Sequence, residues 1–328
     1  MAMLTIPCDA NGIILDARSN AAIENSTPLA QTIKAAISQA PFGFNDVYVF
    51  SHGWSTDADQ TMINYDIFSI GLMRQLLLTP PANPPQATLE LGVHWPSEIT
   101  EDPTSLLNTA QLLTFYSMEH RADQVGRNLV YSLLRLVLEN RAGQPLRFFL
   151  LGHSFGCKVI CAALQDLYTD LQNATIPIAA STSWSVALIQ AATDKDNLEA
   201  ADIYGNVSRF SNLRLLVTTS TFDEALNKWY PIAGKLANLF SGTPSALGAA
   251  GPTATMVQDF GGVTNLQVTP GFTMAAARGA AQRLVQADLS PVHQQRIAQG
   301  LYTGGGVSGS HSDIFFDEIY NLIGGFFY

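Results

Sequence analysis

Residues 150 to 156 read L-L-G-H-S-F-G, and Gly152-His153-Ser154-Phe155-Gly156 fits the pattern G-x-S-x-G. The apolar run Arg147–Leu151 ahead of it reads as a strand, and the periodic stretch Lys158–Leu171 behind it reads as a helix. A chain that turns sharply from strand to helix forces the turn residue into a strained backbone conformation and projects its side chain outward. Bulky residues two positions to either side would collide there, and Gly152 and Gly156 avoid this. The chemistry on offer is nucleophilic. The Ser154 hydroxyl would stand at the end of a strand, and the following helix N-terminus would offer N–H groups and partial positive charge to a developing oxyanion. The N–H of Phe155 is expected to be one such donor. A hydroxyl is a poor nucleophile at neutral pH, so a neighbouring base must take its proton.

This strand, elbow and helix resemble those of the α/β-hydrolase superfamily, of the serine esterase and lipase type. In that family a second oxyanion donor comes from the loop after an early strand, often beginning His-Gly. Here Asp46–Ser51 is followed by His52-Gly53-Trp54, so the resemblance assigns the second donor to the Trp54 N–H. The family's chain order is nucleophile, acid, histidine. Among six histidines, His293 and His311 follow the candidate acids. His311 lies in G-S-H-S-D-I-F, a loop running into the apolar segment Ile314–Phe327, which is the family's setting for its base. His293 lies in Pro291–Gly300, which reads as helix. The acid position after Leu213–Thr219 holds Asp223 in S-T-F-D-E, with Asp194 and Asp196 after the preceding strand as a second choice. Glu224 would point elsewhere if Asp223 points inward, and Asp313 is expected to cap the final helix.

The resemblance, which covers Asp46–Ser220 and the His311 region, thus implies a Ser154, Asp223, His311 triad and an oxyanion hole from Trp54 and Phe155. It implies hydrolysis of carboxylic esters of small to medium acyl chain through an acyl-enzyme, with no cofactor and no metal. Acyl transfer and thioester cleavage use the same machinery. A non-catalytic relative serving as a binding protein is a third reading, although such relatives commonly lose part of the machinery that is intact here.

Other residues near the motif have plainer expected roles. His52 and His153 are expected to pack or hydrogen-bond beside the site, and His94, Trp54, Trp95 and Trp184 to fill the core. Lys158 reads as a solvated charge. Asp57 and Asp59 read as the acidic start of a helix rather than metal ligands. Cys157 and Cys161 share one helix face as small core residues, and with Cys8 they make no disulfide framework. The formal net charge is −10, with Lys+Arg 17 against Asp+Glu 27. No cationic cluster is present for a nucleic-acid partner, and neutral small-molecule esters fit this field best. Met1–Asp16 does not read as a signal peptide, and no apolar run approaches a membrane span, so a cytoplasmic protein is expected.

Several elements must position these groups. Asp46–Ser51, Thr88–Trp95, Arg147–Leu151, Ser185–Ala191 and Leu213–Thr219 read as strands with both faces covered, and Val263–Val268 as a weaker sixth. Met62–Leu78, Leu106–Glu139 and Lys158–Leu171 read as helices. The alternation predicts a mostly parallel, doubly wound α/β sheet with helices on both faces, in one domain over residues 1–328. Cap or lid elements are expected within 224–262 and 270–309, among them Ala246–Ala254 and a helix over Met274–Leu284.

Overall fold

Strands that read as unbroken apolar runs must be dry on both sides, and the sheet they form carries that out. The computed structural model describes residues 4–13, 44–53, 58–85, 87–97, 109–237, 244–302 and 309–328. Within them the strands are β1 Leu4–Pro7, β2 Asp46–Ser51, β3 Thr88–His94, β4 Arg147–His153, β5 Ser183–Ile189, β6 Leu213–Thr219, β7 Val263–Gln267 and β8 Leu284–Asp288. They form one eight-stranded sheet in the order β1-β3-β2-β4-β5-β6-β8-β7. Every neighbouring pair is parallel. The longer helices are α1 Ala58–Leu78, α2 Thr109–Val125, α3 Tyr131–Asn140, α4 Gly156–Gln172, α5 Tyr230–Ala237, α6 Ser290–Ala298 and α7 Asp317–Phe327. The chain has an α/β fold.

Successive side chains of a strand point to opposite faces, and here both directions lead into apolar layers. Val47, Val49, Phe148, Leu150, Val186 and Leu188 join Val137, Ile160 and Leu164 in one layer. Tyr48, Phe50, Phe149, Leu151, Ala187 and Ile189 join residues of α1 and α7 in the other. At the N-terminal end of the sheet, Arg147 holds the fully buried Asp46 by two bonds of 2.6 and 2.7 Å. This fork-to-carboxylate pair, directly across from one strand to the next, is the strong form of a charge-assisted hydrogen bond. A parallel sheet also gathers the C-terminal ends of all its strands on one edge, where open α/β sheets bind ligands.

The structure departs from the sequence reading in several places. Strand β4 runs on through Gly152 and His153, whereas β5 stops at Ile189, so Gln190 and Ala191 lie beyond it. The stretch expected to be one helix over Leu106–Glu139 is α2 and α3 joined by a π-helical turn, Gly126–Val130. A methyl at Gly126 would stand 2.4 Å from the Val159 carbonyl of α4, so only glycine permits this crossing. The helix expected over Met274–Leu284 ends at Arg278, and Leu284–Asp288 is instead β8, seated between β6 and β7. Five residues are too few for periodicity to separate a buried strand from a helix, and β1, with four residues, was missed for the same reason.

Phe148 lies flat on Trp184, ring centroids 4.2 Å apart and planes 7° from parallel, with no exposure to solvent. Phe148→Ala is expected to lower the unfolding free energy by about 3–5 kcal/mol, read from urea denaturation.

Candidate active site

Ser154 stands between β4 and α4 with a backbone φ of 55°. That left-handed conformation is costly for a residue with a side chain. Three backbone hydrogen bonds hold it: its N–H donates to Ile189 O at 3.1 Å, and its carbonyl accepts from Cys157 N at 3.1 Å and Ala192 N at 3.2 Å. The glycines around it are required by space. A methyl on Gly156 would lie 2.1 Å from Ser51 O, and one on Gly152 2.6 Å from Cys157 Cα. One on Gly53 would lie 2.6 Å from the Cβ of Ser154 itself. The loop after β2 and the elbow after β4 therefore touch backbone to backbone. Phe155, the residue ahead of α4, buries its ring in the core. Trp54, expected to give the second oxyanion donor, lies outside the described residues, as does Asp57.

Across the same edge, His311 Nδ1 lies 2.7 Å from Asp223 Oδ2. Asp223 is fully buried, and its other oxygen accepts the Leu226 N–H at 2.9 Å. An ionised carboxylate only accepts, so the imidazole donates from Nδ1 and keeps Nε2 as an acceptor. Among the described residues no hydrogen bond joins Ser154 Oγ to His311. Contacts between neighbouring residues join the two segments instead. His153 Nε2 donates to the His311 carbonyl at 2.8 Å, with the rings 5.0 Å apart, and Gln190 Nε2 donates to the Ser310 carbonyl at 3.2 Å. Catalytic hydrogen bonds are often loose until substrate binds.

Gln190 and His293 were not anticipated as parts of this region. Gln190 is fully buried with φ of 46°, one of three non-glycine residues with positive φ among those described, and its N–H donates to Thr218 Oγ1 at 2.8 Å. It turns the chain after β5 beneath Ser154 and reaches the histidine loop. His293 joins the loop after β6, which carries Asp223, to the loop carrying His311. Its Nε2 donates to the Asp313 carbonyl at 3.1 Å, which leaves Nδ1 facing the hydroxyls of Ser220 at 2.8 Å and Ser310 at 3.0 Å. The Ser310 N–H donates to Phe222 O at 2.9 Å, closing the same seam. Burial lowers the His293 pKa, so it stays neutral and can accept.

The remaining sequence expectations sort as follows. Asp313 does not cap the final helix; it forms a two-bond ion pair with Arg296, each contact 2.8 Å, and Phe316 precedes α7. Lys158 is buried rather than solvated, its Nζ 2.6 Å from Glu119 Oε1, because α2 lies over this part of α4. Asp194 interacts with Tyr230, not with His311, and burial raises its pKa; Asp196 is exposed, and Glu224 pairs with Lys228 at 2.7 Å. Asp59 lies in the first turn of α1. Cys8, Cys157 and Cys161 are buried free thiols. Trp184 is core, and Trp95 stacks on His52 at 5.4 Å, whose ring lies 5.7 Å from that of His94. Part of the segment expected as a lid, Leu247–Ala250, is bound down onto the loop after β5: Leu247 N donates to Thr193 O at 2.8 Å and Gly248 N to Ala191 O at 3.0 Å. Among the described residues, no cluster of histidines, cysteines and carboxylates has a metal-holding arrangement, and no helix is long and apolar enough to cross a membrane.

No known protein-family model matches the chain, and no curated protein sequence matches it.

His52 and His153 are both pushed down to about 3, first by burial. His52 Nδ1 donates to Gly53 O at 2.7 Å, and its Nε2 accepts the Trp95 N–H at 3.3 Å. Between pH 6.5 and about 3 the unfolded chain binds protons that these buried rings refuse. Stability is therefore expected to fall as pH drops below 6.5, and to fall less steeply in His153→Gln; urea unfolding at a series of pH values measures both slopes. His293→Ala, which removes a hydrogen-bond partner from two hydroxyls and a carbonyl, is expected to cost about 1–3 kcal/mol in the same assay at neutral pH.

Proposed function

We propose that this chain is a serine hydrolase of the α/β-hydrolase type, acting on neutral carboxylic esters of small to medium acyl chain. The observation that carries the reading is the buried Asp223–His311 pair at 2.7 Å, set on the same sheet edge as a serine in a left-handed strand-to-helix turn. Apolar layers on both sides of the parallel sheet support the doubly wound architecture of that family. Nucleophile, acid and histidine follow β4, β6 and β8 in turn, the chain order that the resemblance implies.

The chemistry then follows from the groups present. With Nδ1–H committed to Asp223, His311 Nε2 takes the Ser154 proton as Oγ attacks the ester carbonyl. The negative charge moves to the carbonyl oxygen, where the backbone N–H groups of Phe155 and Trp54 receive it. As the intermediate collapses, the imidazolium returns its proton to the leaving alcohol and the acyl group stays on Ser154. Water repeats the sequence, giving up a proton to His311, and frees the acid and the serine. Asp223 stays ionised throughout and stabilises the imidazolium. His153, Gln190 and His293 position His311 through its own and its neighbour's backbone and side chain. The net charge of −10 favours uncharged substrates over anionic ones.

A fluorophosphonate reagent and a p-nitrophenyl ester series of increasing acyl length test this directly. The native chain is expected to take up the reagent on Ser154 and to turn over the shorter esters. Ser154→Ala should do neither, and His311→Ala should lose nearly as much. Asp223→Asn should lower kcat roughly 10³–10⁴-fold by fixing the wrong tautomer, with Asp194→Asn changed by only a few fold. A folded native chain that neither reacts nor turns over any ester would overturn the reading; a severe Asp194→Asn with a mild Asp223→Asn would overturn the acid.

A further inference from the structure

Helix α1 is apolar on two opposite sides. On one, Tyr65, Phe68, Leu72 and Leu76 are buried under the sheet and α7, with Phe50 4.6 Å from Tyr65 and 5.0 Å from Phe68, ring to ring. On the other, Met62, Ile63, Ile67, Ile70, Leu77 and Leu78 face solvent, Ile70 being 69% exposed and Leu77 80%. A helix that is apolar all round is normally covered on all sides, and an apolar stripe about 24 Å long, from the sixteen steps between Met62 and Leu78 at 1.5 Å each, is far more than scattered surface leucines.

The order of residues along that stripe identifies what covers it. Counted outward from Ile70, three positions away stand Ile67 and Met73, four away Asp66 and Arg74, seven away Ile63 and Leu77, and eight away Met62 and Leu78. The pattern is its own reverse in size and polarity, with the two charges as complements. We propose that a second copy of this chain covers it, with the two α1 helices antiparallel about a two-fold axis through Ile70. Ile70 then meets Ile70, Ile63 meets Leu77, Met62 meets Leu78, and Asp66 of each copy meets Arg74 of the other. Such an interface is isologous, the commonest form of closed assembly, and helices inclined by about 20° at 8–10 Å keep the full stripe in contact. A parallel pair would set Asp66 on Asp66 and Arg74 on Arg74. Among the described residues of its own chain Arg74 pairs with Asp317, at 3.2 Å with both side chains more than half exposed, a pairing of little strength that a better-covered carboxylate displaces. A lipid surface would have to take up Asp66 at the middle of the stripe, against a net charge of −10.

Sedimentation velocity over a concentration series up to roughly 100 μM, where a micromolar Kd is saturated, is expected to give twice the monomer mass of 35.4 kDa. Ile70→Asp should raise the Kd more than tenfold with an unchanged circular dichroism spectrum. Asp66→Arg alone should weaken the dimer, and Asp66→Arg with Arg74→Asp should restore it. Ile70→Cys should cross-link to itself on mild oxidation, since the native thiols are buried. A native chain that stays monomeric, with or without binding to phosphatidylcholine vesicles, would overturn the proposal, as would a dimer indifferent to Ile70→Asp or a charge swap that restores nothing.

Discussion

The edge of this sheet is built on an approach between β2 and β4 that leaves no room for a methyl group. The two strands stay in parallel register from Asp46 and Arg147 at one end to Ser51 and Gly152 at the other. At the first end a buried ion pair fixes the register; at the second, Gly156 meets the Ser51 carbonyl. A slip of one residue would turn every side chain of β4 to the opposite layer and carry Ser154 out of its turn. The position of the proposed nucleophile is thus set partly by its own backbone hydrogen bonds and partly by contacts that contain none of its atoms.

The histidines near that edge share one residue type and divide by environment. His52, His153 and His293 each have a backbone carbonyl in hydrogen-bonding reach of one ring nitrogen, which settles their tautomer in a low-dielectric setting. Among the described residues, His311 alone of the four faces a carboxylate through a ring nitrogen. An imidazolium formed at His311 has a carboxylate hydrogen-bonded to its ring; one formed at the others would be a buried charge with a backbone carbonyl in that place. The same side chain is thereby a brace in three places and suited to carry a proton in the fourth.

Much of this was legible from the chain alone, and the reasons are local. The G-x-S-x-G elbow works through steric rules that act within five residues, and the long apolar strands announce themselves because both faces are buried. Asp223 and His311 were placed through a resemblance, and the structure does bring them together. What escaped notice depends on partners far away in sequence. Nothing near Lys158 announces Glu119, nor Asp313 Arg296, and Gln190 reads as a strand residue until the strand is seen to end at Ile189. The five residues of β8 became a strand only by fitting between β6 and β7.

The separation of contacts along the chain has a consequence for how the molecule is made. Asp223 and His311 are 88 residues apart, His153 and His311 158, and the hydroxyls of Tyr48 and Tyr328 meet across 280. Parallel pairing offers few local shortcuts, and each such closure costs loop entropy before it returns any contact. Helices and the β4 elbow can form early, but the edge that bears Asp223 and His311 cannot close until nearly the whole sequence has found its place. Assembly of that pair is therefore a late event in folding, and a refolding chain regains its strands before it regains the edge.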